Sequence, residues 1–255
     1  VNDLKIYTHQ THVHAYEADF NDNLKFSSLF NHMQDAATVH ATRLGVGFEQ
    51  LGPAGLFWVL AWVHIEMQDA PAMGVPFSLK TWAKTPHKLY SMRDFRFETE
   101  AGVPFARATT AWLLLNMKSK RPLPLKRLPI EIDYQYDYSA LDAVPEKMTP
   151  LTRSDWLHTH RVQYADLDLN NHVNNARYVE VLMNAYPFAR HEQQRLSALT
   201  LHYQAEAKAE DVIEVAVASG AEEEVDQVQG TLSASGQSCF RAALQWRKIE
   251  APGLG

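Results

Sequence analysis

Three side chains that can hold or move a proton stand at alternate positions in one short run. They are Asp168, Asn170 and His172, within Tyr164-Ala165-Asp166-Leu167-Asp168-Leu169-Asn170-Asn171-His172-Val173-Asn174-Asn175-Ala176-Arg177-Tyr178. In an extended segment alternate side chains share a face, so this spacing would gather a carboxylate, an amide and an imidazole. An imidazole titrates near neutral pH and suits proton transfer, and polar neighbours can fix its orientation. The run leads directly into helix-like periodicity. A helix start, here at Val173 and Asn174, offers backbone N–H groups and the positive end of a dipole to a developing oxyanion. Those are the parts needed to hydrolyse an activated acyl group. Each is weak alone: His172 is one of 12 histidines, and aspartate and asparagine often serve only as turn or helix caps.

Those residues need elements to position them. Phe26, Leu29, Phe30, Met33, Ala37 and His40 recur at three- and four-residue spacings, which predicts a helix over 26–44. Ser27 or Ser28 would cap it and Gly45 would end it. An extended segment, 5–19, precedes the helix, and strand-like runs 56–67, 77–85, 92–99 and 105–117 follow. After a connector rich in proline and tyrosine the order repeats. A strand over 157–164 leads to the motif, and then to a helix over 174–186 with Val179, Leu182, Met183 and Tyr186 as its stripe and Pro187 as its stop. Strands over 199–206, 212–219, 225–233 and 239–248 complete it. This order predicts two α+β units: an N-terminal one over 1–130, a linker over 131–150 and a C-terminal one over 151–250.

The two halves align in places. Gly102, Arg107, Ala108 and Trp112 match Gly236, Arg241, Ala242 and Trp246 at the same spacings. Residues 18–25 align with 165–172, which sets Asn21, Asn23 and Lys25 against Asp168, Asn170 and His172. On this alignment the first copy binds or supports and the second reacts.

Composition narrows the class. The 255 residues are 46% hydrophobic and 21% charged, as in globular proteins. A net charge of −6 speaks against nucleic acid. The longest apolar run, 56–63, is too short to span a membrane. A lone Cys239 allows no intrachain disulfide, which fits a reducing cytoplasm; a plastid transit peptide removed earlier would leave no trace in this numbering. His12/His14 and His158/His160 lack an acid or cysteine at ligand spacing, so no metal and no cofactor are expected. Lys118, Lys120, Arg121, Lys126 and Arg127 follow one another without an intervening acid. They read either as a solvated connector or as a docking patch for an acidic partner. Phe57, Trp58, Trp62, Trp82, Phe26, Phe30 and Met33 read mainly as core, with Phe30, Met33 and Trp58 expected to border an acyl pocket.

The motif closely resembles the D-x-N-x-H-V-N-N-x-x-Y signature of the acyl-acyl-carrier-protein thioesterases. That resemblance implies a tandem double hotdog, each repeat an antiparallel sheet wrapped around a long central helix. It implies release of free fatty acid from acyl carrier protein, which would end chain elongation, and a homodimer is compatible with it. It also points to Glu206: plant members carry Tyr-Arg-Arg-Glu-Cys where this chain has Tyr203-Gln204-Ala205-Glu206-Ala207. Ala207 replaces a cysteine once read as nucleophile, so the chain should use water, activated by His172 or Glu206, or attack by a carboxylate. Alternatives are an acyl-coenzyme A thioesterase, a hotdog hydratase or dehydratase, and a non-catalytic acyl-binding protein. A dehydratase would show Gly and Pro before its histidine, and 167–172 contains neither.

Overall fold

The computed structural model describes residues 5–135, 138–220 and 225–249. The chain divides into two compact units, Val1–Glu146 and Lys147–Gly255. In the first, β1 (Tyr7–His12) leads to helix α1 (Phe26–Arg43) and a short α2 (Phe48–Leu51). Strands β2 (Leu56–Met67), β3 (Pro76–His87), β4 (Tyr90–Thr99), β5 (Pro104–Asn116) and a two-residue β6 (Pro122–Leu123) follow. The second unit runs β7 (Trp156–Arg161), α3 (Asn175–Asn184), α4 (Phe188–Gln193), β8 (Gln194–Tyr203), β9 (Val212–Ala218), β10 (Val225–Leu232) and β11 (Ser238–Lys248). Strands lie in the order β1-β3-β4-β5-β2 in the first unit and β7-β9-β10-β11-β8 in the second. Counterpart for counterpart, these are the same antiparallel topology. Each unit is a hotdog, and the chain is a tandem of two.

The elements follow from the sequence pattern. In β9, Ile213, Val215 and Val217 are buried while Glu214 faces solvent, the period of two of a one-sided strand. In α1, Phe26, Leu29, Phe30, Met33, Ala36, Ala37 and His40 are buried along one face, which packs on β1 and β3. Gly102 and Gly236 occupy matching turns with φ of 77° and 69°, a conformation glycine adopts at no steric cost.

Several boundaries differ from expectation. Helix α1 begins after an extended Lys25 with no side-chain cap. Ser27 and Ser28 lie buried inside its first turn, and the Ser28 N–H is taken by Lys25 O. Helix α3 stops at Asn184, where Ala185 and Tyr186 tighten back onto the carbonyls of Leu182 and Met183. Pro187 then opens α4, an element too short to show a period in the sequence. Strand β8 ends at Tyr203, leaving Glu206 on the loop beyond it.

The connector is not slack where it is described. Trp82 donates its indole N–H to Tyr138 O at 2.9 Å and stacks on that ring at 4.3 Å. The buried Asp94 carboxylate accepts from Ala140 N–H and from the Thr109 hydroxyl, both at 2.6 Å. Lys84 bonds Ser139 Oγ at 2.9 Å and Leu141 O at 2.7 Å, and lies 3.3 Å from Asp94. Burial pushes the Asp94 carboxyl upward, opposed by those donors and by Lys84. Residues 138–141 are therefore part of the first unit.

Candidate active site

Residues 168–172 do not run extended, so alternate spacing is not what assembles the site. Asn171 takes a left-handed conformation, φ 61°, and the chain folds back. Asp168 N–H donates to His172 O at 2.8 Å, and Asn171 N–H donates to Asp168 O at 3.0 Å. Asp168 Oδ1 accepts from Asn170 N–H at 2.8 Å and His172 N–H at 3.2 Å. Aspartate competes well for nearby backbone N–H groups, and here it builds a turn. Its recorded bonds go to the main chain, not to the imidazole. Asn170 itself is exposed.

His172 pairs across the sheet margin with Lys208. That bridge sets His172 Nε2 3.3 Å from Glu206 Oε2, with side chains 26% and 55% exposed. A water molecule or a substrate can therefore reach the pair. An imidazole and a carboxylate at this distance can share the removal and return of a proton.

The helix start is capped as the asparagines suggested. Asn174 is the N-cap, and its side chain accepts from Ala176 N–H at 2.9 Å. The two amides expected to face an oxyanion are already committed. Val173 N–H donates to Ala207 O at 2.9 Å and Asn174 N–H to Asp166 O at 2.8 Å. Both lie in the last ladder-like contacts before the helix, where backbone partners are at hand. Among the described residues, Asn175 carries the first amide of α3 with no such acceptor. Asp166 was not singled out from the sequence. Its carboxylate accepts from Gln163 N–H at 2.8 Å and pairs with His160 Nε2 at 2.9 Å, and its carbonyl holds Asn174. The signal was there in the Gln163/Asp166 spacing ahead of the motif.

The first unit contains the same turn, in a different register from the sequence alignment. Asp19 Oδ1 accepts from Asn21 N–H at 2.8 Å and Asn23 N–H at 3.0 Å. Asp22 takes φ 62°, and Leu24 N–H donates to Pro71 O at 2.9 Å. Asp19 thus matches Asp168, Asn21 matches Asn170, Asn23 matches His172 and Lys25 matches Asn174. The expected pairing of Asn21, Asn23 and Lys25 with the reactive trio is off by two residues, because short acidic and amide-rich runs align in more than one way. The bridge of Asn23 with Ala72 corresponds to that of His172 with Lys208, so Ala70 matches Glu206. The first copy keeps the turn-building aspartate and lacks both members of the His–Glu pair.

Cys239 is buried, and burial pushes its thiol up to about 12, so it is no thiolate at neutral pH. Phe30 and Met33 are buried on α1, with Phe30 beside Phe26. Trp58 donates to Val46 O at 3.0 Å and packs with Leu51, Leu56 and Leu114. Two small cavities, about 180 and 170 Å³, adjoin Arg107. Neither is lined by Phe30, Met33, Trp58 or the His–Glu pair. Among the described residues no group of three or more His, Cys, Asp or Glu side chains could hold a metal, and no helix is long and apolar enough to cross a membrane.

Residues 4–132 match the family model of the acyl-ACP thioesterase N-terminal domain, and residues 151–248 match that of the C-terminal domain. The chain belongs to the acyl-ACP thioesterase family. Among its relatives, the chloroplastic palmitoyl-acyl carrier protein thioesterase of Gossypium hirsutum is 26% identical over 84% of this chain and 55% of its own length. The chloroplastic oleoyl-acyl carrier protein thioesterase 2 of Arabidopsis thaliana is 25% identical over 92% of this chain and 75% of its own length. The chain thus spans about half to three-quarters of these curated relatives. An acyl-ACP thioesterase from Bacteroides thetaiotaomicron shares the fold, with a TM-score of 0.86, 24% identity, and coverage of 95% of this chain and 98% of that one. The 12:0-ACP thioesterase from Umbellularia californica superposes at 0.79 with 23% identity, covering 96% and 94% of the two chains.

Proposed function

We propose that this member of the acyl-ACP thioesterase family hydrolyses fatty acyl-acyl carrier protein to free fatty acid and holo-carrier protein, ending chain elongation. The observation that carries the reading is the water-accessible His172–Glu206 pair at 3.3 Å, set at the start of α3. The pair takes a proton from water, whose oxygen attacks the thioester carbonyl carbon. The resulting oxyanion is stabilised at the helix start, by the dipole of α3 and the Asn175 amide. The C–S bond then breaks, and the departing thiolate recovers the proton from the imidazolium. Asp168 holds the turn that carries His172, and Asn170 lies exposed in that turn. Direct attack by water is favoured over attack by a carboxylate, because Glu206 is engaged by His172 and Asp168 by two backbone amides.

Lys118, Lys120, Arg121, Lys126 and Arg127 are all exposed and have no ion-pair partner among the described residues. An unneutralised cluster of this kind suits docking of an acidic carrier protein. The test is thiol release from saturated C4 to C18 acyl thioesters of both carriers. Preference for the carrier-protein series, weakened by salt and by Lys126→Glu with Arg127→Glu, is the expected result. Hydrolysis of coenzyme A esters alone would replace the partner and keep the chemistry. No release from either series would sink the hydrolase reading.

A further inference from the structure

Glu206 lies on the loop beyond β8, and its carboxylate is more than half exposed. Its recorded side-chain partner is His172. Its position therefore depends on the main chain beside it. The next residue, Ala207, is fully buried, and its peptide groups are held on both sides. The Ala207 N–H donates to Tyr178 Oη at 3.2 Å, and its carbonyl accepts from Val173 N–H at 2.9 Å. Tyr178 is itself fixed on α3, with its ring edge-on to Tyr203 at 5.7 Å and to Phe240 at 5.6 Å.

We propose that Tyr178 is a positioning residue for the His172–Glu206 pair, acting through the main chain of Ala207. The proposal rests on the hydrolase reading above. The first unit serves as an internal comparison. Where the second unit has Tyr178, the first has Leu29, with no hydroxyl; where the second has Ala207, the first has Pro71, with no N–H. Donor and acceptor are both missing in the copy that also lacks the histidine and the glutamate. The carbonyl bond is kept there, by Leu24 and Pro71. The scaffold of the turn therefore does without the tyrosine bond, whereas the reactive pair occurs together with it. Without the hydroxyl, Ala207 keeps only its carbonyl bond, the 206–207 peptide loses the anchor on its N–H, and the Glu206 carboxylate is free to drift from the imidazole. A displacement of about 1 Å at a reacting group is enough to cost on the order of a hundredfold in rate.

The test is Tyr178→Phe, which keeps the ring and removes the acceptor. Turnover on acyl-carrier-protein thioesters should fall by about tenfold or more, with KM changed by less than about threefold. Exchange of the Ala207 amide should speed up by about tenfold or more, while amides of β8 and α3 keep their protection. In a His172→Asn background the same change should cost nothing further, because the pair it positions is already broken. A merely structural role would cost the same in both backgrounds. If Tyr178→Phe does not fold, replacing the 206–207 peptide bond by an ester (lactic acid at Ala207) removes the N–H while leaving the Tyr178 ring and hydroxyl in place, and should give the same pattern. A folded, active parent whose variant keeps turnover within about twofold despite faster Ala207 exchange overturns the proposal alone. A parent inactive on every thioester overturns the hydrolase reading and the proposal with it.

Discussion

The two units make one substitution unusually informative. His172→Asn installs the residue that the first unit carries at the matching position, in a turn with the same backbone bonds. Asn23 shows that asparagine is compatible with this turn, so the fold should survive. The lost His172–Glu206 contact is 26% and 55% exposed, a setting in which even a full ion pair contributes about 0–1 kcal/mol. The melting temperature should therefore move by less than about 3 °C. Turnover should fall by roughly 10²–10⁴, the usual contribution of a positioned acid–base group. Glu206→Ala, which installs the residue found at Ala70, should also leave the fold in place. If His172 and Glu206 act as one unit, the double variant should be no slower than His172→Asn alone. Thiol release can be followed with a chromogenic disulfide, since Cys239 is buried and stays protonated. Folded His172→Asn protein turning over within about tenfold of the parent would refute the reasoning. A double variant slowed by the product of the single effects would refute the idea of a unit.

The shared turn gives a second prediction. Asp168→Ala and Asp19→Ala each strip the acceptor from two backbone amides, and each should cost about 1–3 kcal/mol in urea titrations. Only Asp168→Ala should also depress turnover, and Asp168→Asn should restore stability because the amide oxygen accepts the same bonds. Asp94→Ala leaves Lys84 and Ala140 N–H without their buried partner. It should destabilise the first unit by about 3–5 kcal/mol and make 138–141 the first site of limited proteolysis. Cys239→Ala should leave turnover within about threefold, as befits a residue with no thiolate to offer. The folded thiol, pushed up to about 12, holds its proton more tightly than an unfolded one. Its contribution is therefore intact below about pH 9 and declines as pH rises toward 12. Cys239→Ala should remove that part of the alkaline loss in a pH series of denaturant midpoints.

Much of the fold was legible in the sequence because it rests on local periodicity. The spacing from Phe26 to His40 predicts α1, the alternation in 212–219 predicts β9, and Gly102 and Gly236 mark matching turns. Their order, read twice along the chain, implies two α+β units before any contact is known. The candidate residues were legible by type: Asp168, Asn170, His172 and, by resemblance, Glu206. Their arrangement was not. Strand alternation predicted a shared face, but the Asp168 carboxylate captures two backbone amides and turns the chain back on itself. Helix-start logic predicted donors at Val173 and Asn174, but Ala207 and Asp166, reached through tertiary pairing, already accept from them. Repeat alignment placed Lys25 opposite His172, whereas hydrogen bonds and backbone angles place Asn23 there. The physical reason is the same in each case. Periodicity and residue type are properties of neighbours in sequence, and they suffice for helices, strands and the inventory of reactive groups. Which N–H meets which carbonyl, and which carboxylate meets the imidazole, depends on segments tens of residues apart, and only the folded chain decides it.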